Sequence, residues 1–242
     1  MLRAGAHLEG QDLSDLDWSD VDLTDATLVG CTLAEVQTTG LVAQGARFRH
    51  CHFVRTGFAH ADLREAVFEA CQFIDDTGHE GVRFAFGRLE MARFETCDLA
   101  FARFERIDLY GLEMKACNLR GAVFNRVDFS RSFGRKVVRA SATFHQCRMD
   151  LCDLAEARLP SCDLKGSTFR EADLRDLDLT GADLRECDLF QALLDGADLT
   201  GADLRGAEIS GLDIRRLKAF RDLKIEADQQ AALMRAMDID VF

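Results

Sequence analysis

The 242-residue chain carries 42 acidic and 30 basic residues for a formal net charge of −12, with nine cysteines and a single proline. No run approaches the eighteen apolar residues a membrane-crossing helix needs, and the start MLRAGAHLEGQDLSD lacks an apolar signal core, so a soluble, cytoplasmic protein with no membrane association is expected. Charge is uneven: residues 1–46 hold eight acids and one base and 150–213 sixteen acids and six bases, whereas 47–149 hold seventeen bases and thirteen acids.

A large apolar residue recurs every fifth position from the start of the chain. The first register takes Leu8, Leu13, Trp18, Leu23, Leu28 and Leu33, passes through Thr38 and Ala43, and continues from Phe48 to Phe73. Helices repeat at 3.6 residues and strands at 2.0, so a five-residue period describes neither. The residue two before each centre is small, as at Ala26, Ala46 and Ala66, and the other three are polar. Two inward residues in five make a short extended segment followed by a bend, and four segments close a square coil of twenty residues. The predicted fold is an all-β solenoid, a right-handed quadrilateral β-helix. Stacked at about 4.8 Å per coil, it would form a rod of about 50 Å.

The beat first breaks at IDDTGHEGVR between Phe73 and Phe84, where eleven residues stand in place of the ten that two repeats require; a bulge or loop is predicted near 74–82. A second register then runs from Phe84 to Phe129. It breaks again where Gly134 and Arg139 occupy expected centres, and SRSFGRKVVRASA is predicted to leave the coil as a basic loop near 130–142. Such excursions are where solenoids carry binding specificity. From Phe144 the beat continues without a miss to Ile214.

Residues 215–242 depart from the period and are read as a short helix followed by a strand, DIDVF, capping the open end or pairing with a second copy. An isologous homodimer is preferred, because Ile239, Val241 and Phe242 alternate with acids and would otherwise form a half-apolar strand in water.

All nine cysteines fall two residues before a centre, so they are read as reduced core residues rather than metal ligands or disulfide partners. His50 and His52 flank an inward Cys51 and point outward, which does not make a metal site. Phosphate loops, nucleophile elbows and zinc-protease motifs are absent from the sequence. Neither enzyme activity nor a cofactor or metal is expected.

A straight acidic rod about as wide as a duplex suggests mimicry of DNA, with Asp153, Asp163, Asp173, Asp178, Asp183, Asp188, Asp198 and Asp203 as the phosphate-like surface. Its target would be a DNA-binding protein, without direct nucleic-acid binding by the rod itself.

Stretches such as ADLREAVF, CDLKGSTF and LTGADLRECDLFQALLDGADLTGADLRGAEI resemble pentapeptide-repeat proteins, and LKIEADQQAALMRAMDIDVF resembles the closing helix and strand of Qnr-type quinolone-resistance proteins. That resemblance implies a dimeric β-helix that binds DNA gyrase, and topoisomerase IV in addition, and protects them from fluoroquinolones. It implies partner contacts from Ile74, Asp75, Asp76, Thr77, Gly78, His79 and Glu80 in the first loop and Ser132, Phe133, Gly134, Arg135 and Lys136 in the second. The dimer contact would comprise Ile225, Leu233, Met234, Met237, Ile239, Val241 and Phe242. An immunity protein against a natural gyrase toxin and a scaffold for an unrelated partner remain open alternatives.

Overall fold

Four parallel ladders, one on each side of a square, carry the chain in the computed structural model, which describes residues 2–75, 77, 80–134 and 137–239. On the first face Leu8 pairs with Leu28, Leu28 with Phe48, Phe48 with Phe68, Phe68 with Phe94, Phe94 with Met114 and Met114 with Phe144. The second face runs from Asp12 through Thr32, His52, Gln72, Asp98, Asn118, Arg148, Thr168 and Asp188 to Glu208. The third contains Gly57, Arg83, Arg103, Val123, Asp153 and Asp173, and the fourth Asp62, Arg88, Asp108 and Asp128, then Arg158, Asp178 and Asp198.

Each side is short because the chain turns two residues past nearly every centre. There the backbone enters the left-handed region, at His60 (φ 54°), Phe86 (φ 57°) and Arg106 (φ 49°) among others, a conformation that costs an ordinary residue free energy. Hydrogen bonds to the next coil hold it: the His60 N–H donates to the Ala85 carbonyl at 2.9 Å and the Arg106 N–H to the Asn125 carbonyl at 3.0 Å. At Gly121 the corner must be glycine for a second reason, since a Cβ there would lie 2.7 Å from the Phe101 ring.

The centres and the small residues two before them form one continuous core. Leu119, Phe124, Leu164 and Leu184 are all buried, as are the two weak centres Thr38 and Ala43. Burying one such Leu or Phe contributes roughly 1.5–3 kcal/mol. In the middle of the rod the centres are stacked rings: Phe48 on Phe68 at 4.7 Å, Phe68 on Phe94 at 4.6 Å, and Phe104 on Phe124 at 4.7 Å. All nine cysteines are buried and unbridged. Six of the thiols reach a carbonyl of the preceding coil, Cys71 to Phe48 and Cys117 to Phe94 both at 3.3 Å among them, and Ser167 fills the same column with a hydroxyl donating to Phe144 at 2.6 Å. Burial pushes the Cys162 thiol up to about 11 and Cys187 up to about 12, so neither is a thiolate at neutral pH.

Coil length shows what the two breaks are. Regular partners are twenty residues apart, but Phe68 pairs with Phe94 across 26 residues and Met114 with Phe144 across 30. The first break is therefore not a one-residue excess: Phe73 and Phe84 are consecutive centres on adjacent faces, and six residues are inserted between them. The second inserts ten between Phe129 and Phe144, so Gly134 and Arg139 are not displaced centres at all. A single-residue excess does occur later, where Asp198 pairs with Ala219 and Asp203 with Lys224 across a 3₁₀ turn at Ile214–Arg216. The coil thus continues ten residues past the boundary expected at 214, and Leu217 is buried where Ile214 is only half-buried.

The C-terminal segment closes the last coil. Gln229 is buried, its amide nitrogen donating to the carbonyls of Leu204 (2.8 Å) and Ala207 (2.7 Å) while its amide oxygen accepts the Glu226 N–H at 2.7 Å. The helix Gln230–Ala236 follows and buries Leu233. The strand expected at DIDVF falls largely on Asp240, Val241 and Phe242, which lie outside the described residues.

Candidate partner-binding surface

The two insertions leave the square at diagonally opposite corners. The first departs between the second and third faces, the second between the fourth and first, about two coils further along.

A narrow neck closes the first insertion. Ile74 bridges Gly81 in antiparallel sense, the Val82 N–H donates to the Phe73 carbonyl at 2.9 Å and the Asp75 N–H to the Glu80 carbonyl at 3.1 Å. The Asp75 carboxylate accepts from the Thr77 hydroxyl at 2.6 Å and the Glu80 N–H at 3.2 Å, with the Arg55 guanidinium 3.9 Å away. Asp75 was expected at a partner contact but is buried, because it ties the neck together; Ile74 is half-buried, and Thr77 and Glu80 are exposed. Asp76, Gly78 and His79 lie outside the described residues.

The second insertion is an antiparallel hairpin, Ser130–Phe133 with Val137–Ala140, pairing Ser132 with Val138. Gly134 begins its turn in the left-handed region, with φ 75°. The hairpin folds back on the fourth face: Phe133 meets the edge of Tyr110 at 5.9 Å, and Arg131 lies over that ring at 5.8 Å and 3.6 Å from Glu90. Burial and the neighbouring charges of Glu90 and Asp128 raise Asp108 at its foot. Ser132, Phe133, Gly134 and Val138 are exposed, so two apolar side chains of the hairpin, Phe133 and Val138, face solvent; Arg135 and Lys136 lie outside the described residues.

The eight aspartates chosen as a phosphate-like surface have a different primary task. Asp163, Asp183 and Asp203 are on the first face, Asp188 on the second, Asp153 and Asp173 on the third, and Asp178 and Asp198 on the fourth, so they form no single row. Every one accepts the backbone N–H two residues ahead, from Ala155, Lys165, Arg175, Thr180, Arg185, Phe190, Thr200 and Arg205, at 3.0–3.2 Å. The carboxylate fastens the turn. Several are also neutralised, Asp173 by Arg175, Asp183 by Arg185 (both 2.5 Å) and Asp203 by Arg205 at 2.6 Å. These guanidinium bonds hold Asp173 and Asp183 below the usual carboxylate range and Asp203 down to about 2. Asp203 is buried and Asp163 exposed; the rest are half-buried. The repeated triplets Asp-Leu-Arg and Asp-Leu-Thr carry this turn signal in the sequence.

Of the predicted dimer residues, Leu233 is buried within its own chain, which corrects its assignment to an open contact. Ile225, Met234 and Met237 are half-buried and Ile239 is exposed; Val241 and Phe242 lie outside the described residues. Among the described residues no group of three or more His, Cys, Asp or Glu is placed to hold a metal ion, and no helix is long and apolar enough to cross a membrane.

The family model for pentapeptide repeats matches residues 4–36, 42–75, 147–185 and 182–216 in eight copies. A quinolone resistance pentapeptide repeat protein, QnrB96 of Scandinavium goeteborgense, is 29% identical over 121 residues, covering 50% of this chain and 54% of that protein. The pentapeptide repeat protein QnrB4 of Escherichia coli is 28% identical over 124 residues, covering 47% of this chain and 58% of that protein. The chain therefore spans little more than half the length of the curated relatives it matches. A trypsin-treated variant of QnrB1, a plasmid-mediated fluoroquinolone resistance protein, superposes with a TM-score of 0.76 at 26% identity over 90% of this chain and 100% of that chain. A second such variant gives 0.74 at 24% identity over 98% of each.

Proposed function

The chain belongs to the pentapeptide-repeat family, and from that premise we propose that it is a non-enzymatic protein that binds DNA gyrase, and topoisomerase IV in addition, and protects them from fluoroquinolones. The observation that carries this reading is the placement of the two insertions. A rod lying in the DNA-binding saddle of a two-fold enzyme presents opposite flanks to its two halves, and loops leaving diagonal corners reach both. The likeness to QnrB1, a fluoroquinolone resistance protein, supports the same reading.

The electrostatic part of DNA mimicry is carried by net charge rather than by a row of carboxylates. Residues 150–213 keep ten more acids than bases, and this field attracts a basic saddle over roughly a Debye length, about 8–10 Å at ordinary salt. Contact and drug rejection then fall to the loops, with exposed Phe133 and Val138 as the apolar anchors of the second. Pairing of two copies through the C-terminal segment, with Ile239, Val241 and Phe242 at its centre, places two rods end to end across the saddle.

The test uses deletions that respect the coil. Removing 75–80 leaves Phe73 and Phe84 five residues apart with Gly81 at the corner and Val82 inward; removing 131–140 does the same for Phe129 and Phe144 with Ala142 inward. Both variants are expected to keep the parent's thermal melt and to lose protection in a gyrase supercoiling assay containing a fluoroquinolone. Full protection by both would sink the loop mechanism, and no effect of the parent on the drugged enzyme would sink the function.

A further inference from the structure

The wall of the solenoid is open at the root of the hairpin. On the fourth face the ladder reaches Asp128 and resumes between Arg158 and Asp178, while the other three faces cross the same level through Met114 with Phe144, Asn118 with Arg148 and Val123 with Asp153. One coil earlier, the Arg106 N–H reaches the Asn125 carbonyl at 3.0 Å, Leu109 reaches Asp128 at 2.7 Å and Asp128 reaches Ile107 at 3.0 Å. One coil later, Glu156 reaches Arg175 at 2.9 Å, Leu159 reaches Asp178 at 2.8 Å and Asp178 reaches Ala157 at 3.1 Å. Between them the corresponding three donors, the N–H groups of Arg126, Phe129 and Arg158, have no backbone acceptor among the described residues. A cavity of about 490 Å³ lies there, with Asn125, Arg126 and Val127 on one lip and Ala155, Glu156 and Ala157 on the other.

Backbone groups facing a cleft need partners, and the two lips carry donors that the ladder leaves without their usual acceptors. Around them, Val127 and Ala157 supply an apolar floor, while Asp153 and Glu156 have no ion-pair partner among the described residues. We infer that this slot takes an extended polypeptide segment of a partner protein, which adds itself as a strand between the two coils and sets a Lys or Arg against Glu156 and Asp153. The backbone of the segment supplies the bonds that the wall lacks, and its basic side chain supplies the selectivity. The hairpin begins at Ser130, two residues past Asp128, so the insertion stands beside the slot.

The experiment follows amide hydrogen exchange by NMR in the full chain, with the blocked peptide acetyl-Thr-Val-Lys-Val-Thr-Val-amide as probe. In the free protein the Arg126, Phe129 and Arg158 amides are expected to exchange at least about 100-fold faster than those of Glu156 and Leu159. The lysine peptide is expected to slow all three saturably, while its backbone-N-methylated form and its glutamate-for-lysine form do not. Ala155→Trp, which fills the slot from outside the core, is expected to abolish the effect. Three amides already as slow as their neighbours, no slowing at millimolar lysine peptide, equal slowing by the glutamate peptide, or unchanged slowing in Ala155→Trp would each overturn the inference.

Discussion

Residues 47–129 and residues 150–208 build the same square coil by different means. In the first stretch the centres are mostly phenylalanines stacked coil on coil, three-residue strands alternate with corners on the first and third faces, and the outward positions carry many arginines. In the second the centres are almost all leucines, no strand longer than a single bridge forms, and an aspartate closes nearly every turn. One half is held from within by rings, the other from without by carboxylates. The period fixes where side chains point, and two chemistries then suffice to hold it.

Cutting a core residue in each half is the sharpest way to break this contrast. Phe104 stacks on Phe84 at 5.2 Å and on Phe124 at 4.7 Å, and aromatic pairs contribute about 0.5–1.5 kcal/mol beyond area. Phe104→Ala is therefore expected to cost about 4–5 kcal/mol in urea denaturation and Leu184→Ala about 2–3 kcal/mol. Equal costs would mean that ring stacking adds nothing to burial.

The turn carboxylates sharpen it next. Asp183→Ala removes the acceptor for the Arg185 N–H and is expected to cost about 1–2 kcal/mol, while Asp183→Asn keeps an acceptor oxygen and costs about 0.5 kcal/mol or less. If the two variants melt alike, the aspartates act through charge and not through turn geometry.

Acid distinguishes the halves in a third way. A carboxylate depressed in the folded state stabilises the fold above its unfolded pKa, and that stability is lost as pH falls through the folded value. With Asp203 held at about 2 against an ordinary 3.8, its contribution is complete above about pH 4 and disappears on the way down through pH 2. Hydrogen exchange between pH 4 and 2 is expected to loosen residues 173–205 first, and Asp203→Asn to flatten that dependence. Simultaneous loosening of the phenylalanine half would contradict it. The smallest effect belongs to the exposed central pair Arg49 and Glu69, 2.7 Å apart; Arg49→Ala is expected to shift stability by no more than about 0.5 kcal/mol in a thermal melt.

Most of the fold was legible because one inward column imposes one period, and Leu119, Phe124, Leu164 and Leu184 sit where the beat puts them. The insertions were visible but mismeasured. Counting onward from Phe73 or Phe129 treats every fifth residue as a centre, whereas in space the chain leaves one face and returns on the next, so eleven residues hide an insertion of six. The aspartates were misread for a different reason: a formal charge is apparent in a sequence, but the N–H it accepts is a property of the turn. Gln229 was invisible as a cap since its two acceptors lie more than twenty residues back. The gap between Asp128 and Arg158 has no residue signature, because it is a missing pairing between two positions thirty residues apart.

The column of thiols gives seven levels of the rod a recorder each. Cys31, Cys51, Cys71, Cys97, Cys117, Cys147 and Cys187 mark seven heights along one edge of the interior, all shielded from solvent, with Ser167 at the level between the last two. A small alkylating reagent can reach a given sulfur only while its level is unzipped, so the order in which these seven acquire the label is a written history of where, and from which end, the molecule comes apart.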